Sequence, residues 1–288
     1  MDDIHRHINN LKKNSSDFFS RGEIVWKKSE KEVWAELERQ INRKPIGKSV
    51  SLFPKVINWV AAAVIFLLVG FGSTVFVYTK TIRSVPGQKL LTELPDGSTV
   101  ELNAGSILKY HPLEWTFKRK LKFEGEAYFM VQKGKRFEVE SANGTTQVLG
   151  TSFNIYARDN DYRVTCFSGK VKVVSNSNES VLLSPNNHVE IENGEFIMKP
   201  NFKAEKAIDW KMNRFDFTGR PLNEVFSEIE RQFAVKIQIQ SELSNRNFSS
   251  NFSKPENVEE VLDYVCKSMQ LKFIKQSESV FLIVENSK

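Results

Sequence analysis

Cysteine is almost absent from this sequence. Two residues, Cys166 and Cys266, are too few for a disulfide framework or a structural zinc site. They read as two small core residues in different domains, with a disulfide between them as the alternative. Histidine is scarce as well: His5, His7, His111 and His188 are scattered. No HExxH, GxSxG, paired-cysteine spacing or glycine-rich nucleotide loop occurs. Gly47-Lys48-Ser49 ends like a phosphate loop, but Asn42 holds the place of the earlier glycine and no strand precedes it. The acidic residues fall mostly on the polar phase of alternating segments, where a solvated face is the plain reading. The sequence therefore reads as that of a non-enzyme, with no catalytic residues, no metal ligands and no cofactor.

A nucleic-acid surface is missing too. The net charge is +6, but Met1–Lys55 holds twelve Lys/Arg against eight Asp/Glu, and Lys80–Lys288 holds twenty-nine against twenty-seven. The larger part is nearly neutral, and no basic stripe interleaved with aromatics stands out. Direct binding of nucleic acid is not expected.

What the sequence does hold is one long apolar run. Between Lys55 and Lys80 there is no charge, and thirteen of the residues from Val56 to Thr79 are Leu, Ile, Val or Phe. A helix from Ile57 to Tyr78 measures about 33 Å at ~1.5 Å per residue, against a hydrocarbon core of roughly 30 Å. Trp59 and Tyr78 sit where interfacial aromatics belong. The expectation is a single transmembrane helix over 56–79. The five Lys/Arg of Leu37–Val56 exceed the three of Thr79–Ser98, which orients the N-terminus to the cytoplasm. The expected location is the bacterial inner membrane, single-pass, with a periplasmic C-terminus.

Residues 1–55 bury little on their own, yet carry helical patterns. Ser29 lies three residues before Glu32, a capping-box spacing. Val33, Trp34, Leu37 and Ile41 then share one helix face, with Trp26 just upstream. A small self-packed bundle is one reading. The other, preferred because the stripe has little to pack on, is a set of helices that complete their core on a partner protein.

From Leu90 to about Lys199 short alternating segments follow one another: TVELN, KLKFEG, AYFMV, RFEVE, FNIYA, YRVTCFSG, KVKVV and HVEIE. Asp96-Gly97, Asn143-Gly144 and Asn193-Gly194 punctuate them as turns. The spacing predicts an all-β domain over 80–203, with solenoid, barrel and sandwich all open. From about Asp209 the period changes. Strands alternate with two helical stripes, Leu222/Val225/Phe226/Ile229/Phe233 and Val258/Val261/Leu262/Val265/Met269. The order βαββαββ predicts a small α+β domain over 204–288, with helices on one face of a sheet. The fold class expected for the whole chain is an α+β membrane protein.

Four stretches in order carry a resemblance: Leu94-Pro-Asp-Gly-Ser-Thr-Val-Glu-Leu-Asn-Ala-Gly-Ser106, Gly125-Glu-Ala-Tyr-Phe129, Val148-Leu-Gly-Thr-Ser-Phe-Asn154 and Gly169-Lys-Val-Lys-Val173. With them the chain resembles the FecR family of transmembrane anti-sigma factors. The tail, with Phe217, Pro221-Leu222 and Val225, is similar to the short N-terminal domain of secretins and TonB-dependent receptors. The resemblance implies a relay. The signalling domain of an outer-membrane TonB-dependent transporter acts on the exported part, and the cytoplasmic segment holds or releases an extracytoplasmic-function sigma factor. Trp26, Val33, Trp34, Leu37 and Ile41 become the expected sigma-factor-binding residues. The residues that receive the transporter are unknown. Some relatives are cut near the position of Gly150-Thr151, which makes self-cleavage there an expectation to set against an ordinary glycine turn, the favoured reading. A competing function is a membrane-tethered periplasmic scaffold or glycan-binding module.

Overall fold

Alternation of apolar and polar residues builds strands with one buried face, and the longest of them, β5 (Arg119–Met130), organises the larger part of this protein. The computed structural model describes residues 27–42, 59–67, 78–192, 194–199 and 202–286. The chain divides into two units, Met1–Leu67 and Leu68–Lys288.

In the first unit the described elements are a helix, α1 (Glu30–Asn42), and a helical stretch over 59–67. The expected membrane-spanning helix is corrected here. Among the described residues no helix is long and apolar enough to cross a membrane. Residues 56–58 and 68–77 of the expected span lie outside the described residues. The expected class of α+β membrane protein is corrected with it, because the chain is mostly β.

The β module runs from β1 (Lys80–Arg83) through β2 (Leu90–Glu93), β3 (Thr99–Leu102), β4 (Ile107–Tyr110), β5, β6 (Phe137–Ser141), β7 (Gly144–Val148), β8 (Ser152–Arg158), β9 (Asp161–Ser168), β10 (Val171–Ser175), β11 (Ser180–Leu183) and β12 (His188–Glu192) to β13 (Glu195–Met198). The first half of β5 pairs with β4 and, in parallel, with β6. Its second half pairs with β3 and β8. One strand thus belongs to two sheets. One sheet reads β1-β4-β5-β6-β7-β10-β11, the other β2-β3-β5-β8-β9-β12-β13.

The two sheets face each other across a single apolar core that includes Leu121, Phe123, Phe129, Phe137, Phe153 and Tyr162. Phe129 stacks on Phe153 at 5.0 Å and meets Phe123 edge-on at 5.5 Å, so rings from both halves of β5 share that core. Of the three all-β architectures left open by the sequence, this is the sandwich. The corner is Gly125, at φ +121°, where a Cβ would lie 2.4 Å from the Ser106 hydroxyl oxygen. A side chain there would prevent β5 from passing between sheets.

The tail begins with a 3-10 helix (Ala204–Met212) and continues β14 (Arg214–Pro221), α2 (Leu222–Phe233), β15 (Lys236–Ile239), β16 (Asn247–Ser253), α3 (Val258–Ser268), β17 (Leu271–Ser277) and β18 (Val280–Glu285). The order is the expected βαββαββ. The expected single sheet is instead two: β14 pairs with β16, while β18 lies between β15 and β17. Both expected helical stripes pack inward, buried except for the partly buried Phe233 and Met269, and they form a core of their own with Phe215, Phe248, Phe281 and Ile283. Asn257 caps α3, accepting from the Glu260 amide at 2.9 Å while its own amide donates to the Glu260 carboxylate at 2.7 Å. Cys166 and Cys266 are both free and buried, one in each core.

Candidate functional site

The sequence places its expected partner-binding residues on α1, and the local chemistry there is that of a well-terminated helix. Ser29 and Glu32 close a capping box: the Ser29 amide donates to the Glu32 carboxylate at 2.8 Å, and the Glu32 amide donates to the Ser29 hydroxyl at 3.4 Å. Glu30 and Glu32 occupy the positive end of the helix dipole and Arg39 the negative end. At about 100° per residue, Val33, Leu37, Ile41 and Trp34 fall within one arc of roughly 100°. All four are exposed, Trp34 at 61% and Ile41 at 67%, and α1 has no buried residue. The structure therefore gathers four of the five expected residues into one uncovered apolar stripe. The fifth, Trp26, lies outside the described residues.

Gly150 and Thr151 link β7 to β8. Gly150 has φ +153°, and a Cβ on it would meet the Lys133 backbone at 2.7 Å. The neighbouring carbonyls are held: the Gly134 amide donates to Leu149 O at 2.8 Å, and the Val131 amide to Thr151 O at 2.9 Å. The Thr151 side-chain hydroxyl is buried, and among the described residues nothing hydrogen-bonds it. A hydroxyl becomes a strong nucleophile through an attached base, and none is attached here. The glycine fits a tight inter-strand link.

A third feature was not foreseen. A cleft of about 620 Å³ opens between the β module and the tail, lined on one side by Glu126, Asn154, Arg163 and His188 and on the other by Trp210, Arg220, Glu228 and Gln232. Its polar groups are largely paired with one another. Arg163 lies 4.0 Å over the Tyr156 ring and pairs with Asp161. His188 stacks on Phe202 at 3.9 Å, while its Nδ1 meets the Thr165 hydroxyl at 2.7 Å. Glu190 accepts from His188 Nε2 at 3.2 Å and pairs with Lys199 at 3.1 Å. Desolvation pushes the Glu190 carboxyl up, but those hydrogen bonds and the Arg163 charge outweigh it and leave it at about 2.

At the floor of the cleft lies Glu126. It is part-exposed toward the cleft but set deep in the protein. Desolvation, then the Glu228 charge, raise its carboxyl to about 7 against the opposing Arg158, Asn103 and Asn154. The sequence concealed this group because Glu126 sits on the outward phase of β5, with Lys120, Lys122 and Glu124. The tail covers it, and no local pattern announces a covering domain. Among the described residues no group of His, Cys, Asp and Glu is placed to hold a metal ion.

Comparison with known proteins follows the two-part architecture. The family pattern "FecR protein" matches residues 80–172, and "FecR, C-terminal" matches 214–282. Together they take in more than half of the 288 residues. The chain belongs to the FecR family. Two crystal structures, each of a candidate anti-sigma factor from Parabacteroides distasonis ATCC 8503, are similar to it, one at 2.50 Å and one at 1.65 Å resolution. The first shares 28% identity at a TM-score of 0.66, over 73% of this chain and 100% of the crystallised one. The second shares 29% at 0.65, over 72% and 100%. No curated protein matches. For the FecR chain described here, the β module and the tail are thus the family's two parts, and α1 lies outside both matched ranges.

Proposed function

We propose that this FecR-family protein is an anti-sigma regulator whose α1 stripe is the surface that takes a sigma factor. The observation that carries the proposal is the uncovered face of Val33, Trp34, Leu37 and Ile41 on a capped helix. Covering such side chains contributes about 1.5–3 kcal/mol each before the cost of association. A helix laid into a partner's groove is the recognition mode that uses this spacing. Membership of the FecR family and the likeness to a candidate anti-sigma factor supply the class of partner.

In the finer reading, the sigma factor is of the extracytoplasmic-function class, and the input comes from the signalling domain of an outer-membrane TonB-dependent transporter. The β module and tail are then the receiving end in the periplasm, with residues 1–55 acting in the cytoplasm. The family supports this reading. Reporter fusions at residue 50 and at residue 288 test the compartments. Purification of the full chain from a native host tests the partner. A sigma factor recovered with the wild type, and lost with Trp34→Ala/Leu37→Ala, supports the proposal. Equal recovery with both proteins overturns it.

A further inference from the structure

The β module and the tail have separate apolar cores, and among the described residues no apolar cluster joins them. Polar groups hold them together instead. At the centre, the Glu126 carboxylate accepts from Asn103 Nδ2 at 2.8 Å and from Asn154 Nδ2 at 3.2 Å. An amide whose NH2 is fixed on one side presents its carbonyl oxygen on the other. Both oxygens point to the tail. Asn103 Oδ1 accepts from Gln232 Nε2 of α2 at 2.8 Å, and Asn154 Oδ1 accepts from Trp210 Nε1 of the 3-10 helix at 3.3 Å. One acidic side chain in the module thus holds the NH2 of both amides, the Ala104 amide also donates to Asn103 Oδ1 at 2.8 Å, and each amide carries one donor from the tail.

The same contact brings a second carboxylate close. Gln232 Nε2 also donates to Glu228 at 2.9 Å, and Glu228 is further held by Arg231 at 2.9 Å. The charged groups facing Glu126 are Arg158 on its own side and, from the tail, Glu228 with its partner Arg231. Arg158 does not pair with it and donates instead to Ala104 O at 2.9 Å. Among the described residues, the donors to the Glu126 carboxyl are two neutral amides. Other contacts lie around this centre, among them Gly87 N to Arg231 O at 2.7 Å, Lys89 Nζ to Asn213 Oδ1 at 2.7 Å, Lys211 to Glu101 at 3.0 Å, and Arg220 to Asp161 at 3.7 Å and to Glu190 at 3.9 Å.

We propose that Glu126 is a proton-linked latch between the β module and the tail, orienting Asn103 and Asn154 toward Gln232 and Trp210 and holding the tail most firmly when its own carboxyl is neutral. Docking removes water from Glu126 and sets it facing Glu228. Undocking returns Glu126 to water and to the ordinary carboxylate range. Docking therefore takes up a proton. It is firmest below that ordinary range and weakens as pH rises through about 7, the value for the docked carboxyl. This inference is independent of the sigma-factor reading, since it concerns only the relation of the two family parts.

Hydrogen exchange on the full chain tests it, with peptides covering 98–106 and 224–234 followed at pH 5.5, 7.0 and 8.5 and corrected for intrinsic exchange. A single linked proton changes the docking equilibrium by about tenfold per pH unit below the docked value, so roughly 30-fold less protection is expected at pH 8.5 than at 5.5. Glu126→Gln removes the titration and turns an NH2 group toward one of the asparagines. Its protection is expected to be low and flat with pH. Glu228→Gln keeps the latch but removes the facing charge, so its midpoint is expected below 7. A flat wild-type profile, or a Glu126→Gln profile that keeps the wild-type midpoint, overturns the proposal. If Glu126→Gln does not fold, an unmoved midpoint in Glu228→Gln overturns it as well.

Discussion

Replacing Gly125 by alanine attacks the point where β5 leaves one sheet for the other. Two costs add. At φ +121° an alanine is forced into a backbone region that side chains avoid, costing about 1–3 kcal/mol. Its Cβ would also lie 2.4–2.6 Å from Ser106, including that residue's backbone Cα, so relief requires moving the β3–β4 turn rather than rotating a side chain. Overpacking of this kind costs about 1–3 kcal/mol more. The sum, roughly 2–6 kcal/mol, is a large part of the 5–15 kcal/mol typical of a domain. Gly97→Ala separates the two costs. Gly97 has φ +77°, but the atom nearest its Cβ position is Gln132 Cγ at 3.8 Å, an ordinary contact. Only the backbone term, about 1–2 kcal/mol, is expected there. Urea unfolding of the full chain, followed by Trp115 fluorescence against a Trp115→Phe reference, measures both. Trp115 suits this use because it is buried against Tyr110 and Phe137. Gly125→Ala no more destabilising than Gly97→Ala would refute the account of β5 as a strand shared through a side-chain-free corner.

Two further outcomes follow from buried groups. Burial pushes the Cys166 thiol to about 11 and the Cys266 thiol to about 12, so neither is expected to react with a thiol reagent at pH 8 in the native protein, and both should react after denaturation. A native chain with no titratable thiol even in denaturant would show instead that the two are paired. With no base on its hydroxyl, Thr151 is expected to leave the chain intact: after long incubation the intact mass should stay at 33.1 kDa, as in Thr151→Ala. Fragments meeting at Gly150-Thr151, absent in Thr151→Ala, would establish self-cleavage.

Much of the β architecture was readable from period alone, because a residue facing the core recurs at every second position and Leu121, Phe123, Ala127 and Phe129 hold that phase along β5. The shared strand was not readable. Gly125 looks like any glycine in a strand until its two sets of partners are known. The tail's order was legible from its two helical stripes. Its split into two sheets was not, since pairing partners are chosen by tertiary packing that strand periodicity does not encode. The apolar run over 56–79 misled for another reason. Hydropathy reports what a segment tolerates around it but fixes no helix length, and among the described residues no helix is long and apolar enough to cross a membrane. The α1 stripe was found because capping and the 3.6-residue period are both local. Glu126 was missed because its significance depends on a domain that begins about eighty residues later in the chain.

The central claim is that α1 recognises a sigma factor through one apolar face. Isothermal titration of the cognate sigma factor into the full chain tests it directly, with wild type compared with Trp34→Ala. Truncating an interface anchor costs about 2 kcal/mol or more, which is roughly a 30-fold loss in affinity. Far-ultraviolet circular dichroism should be unchanged, because no residue of α1 is buried in the free protein. The expected result is that loss without a change in fold. Wild-type affinity in Trp34→Ala, or no binding by the wild type, would contradict it.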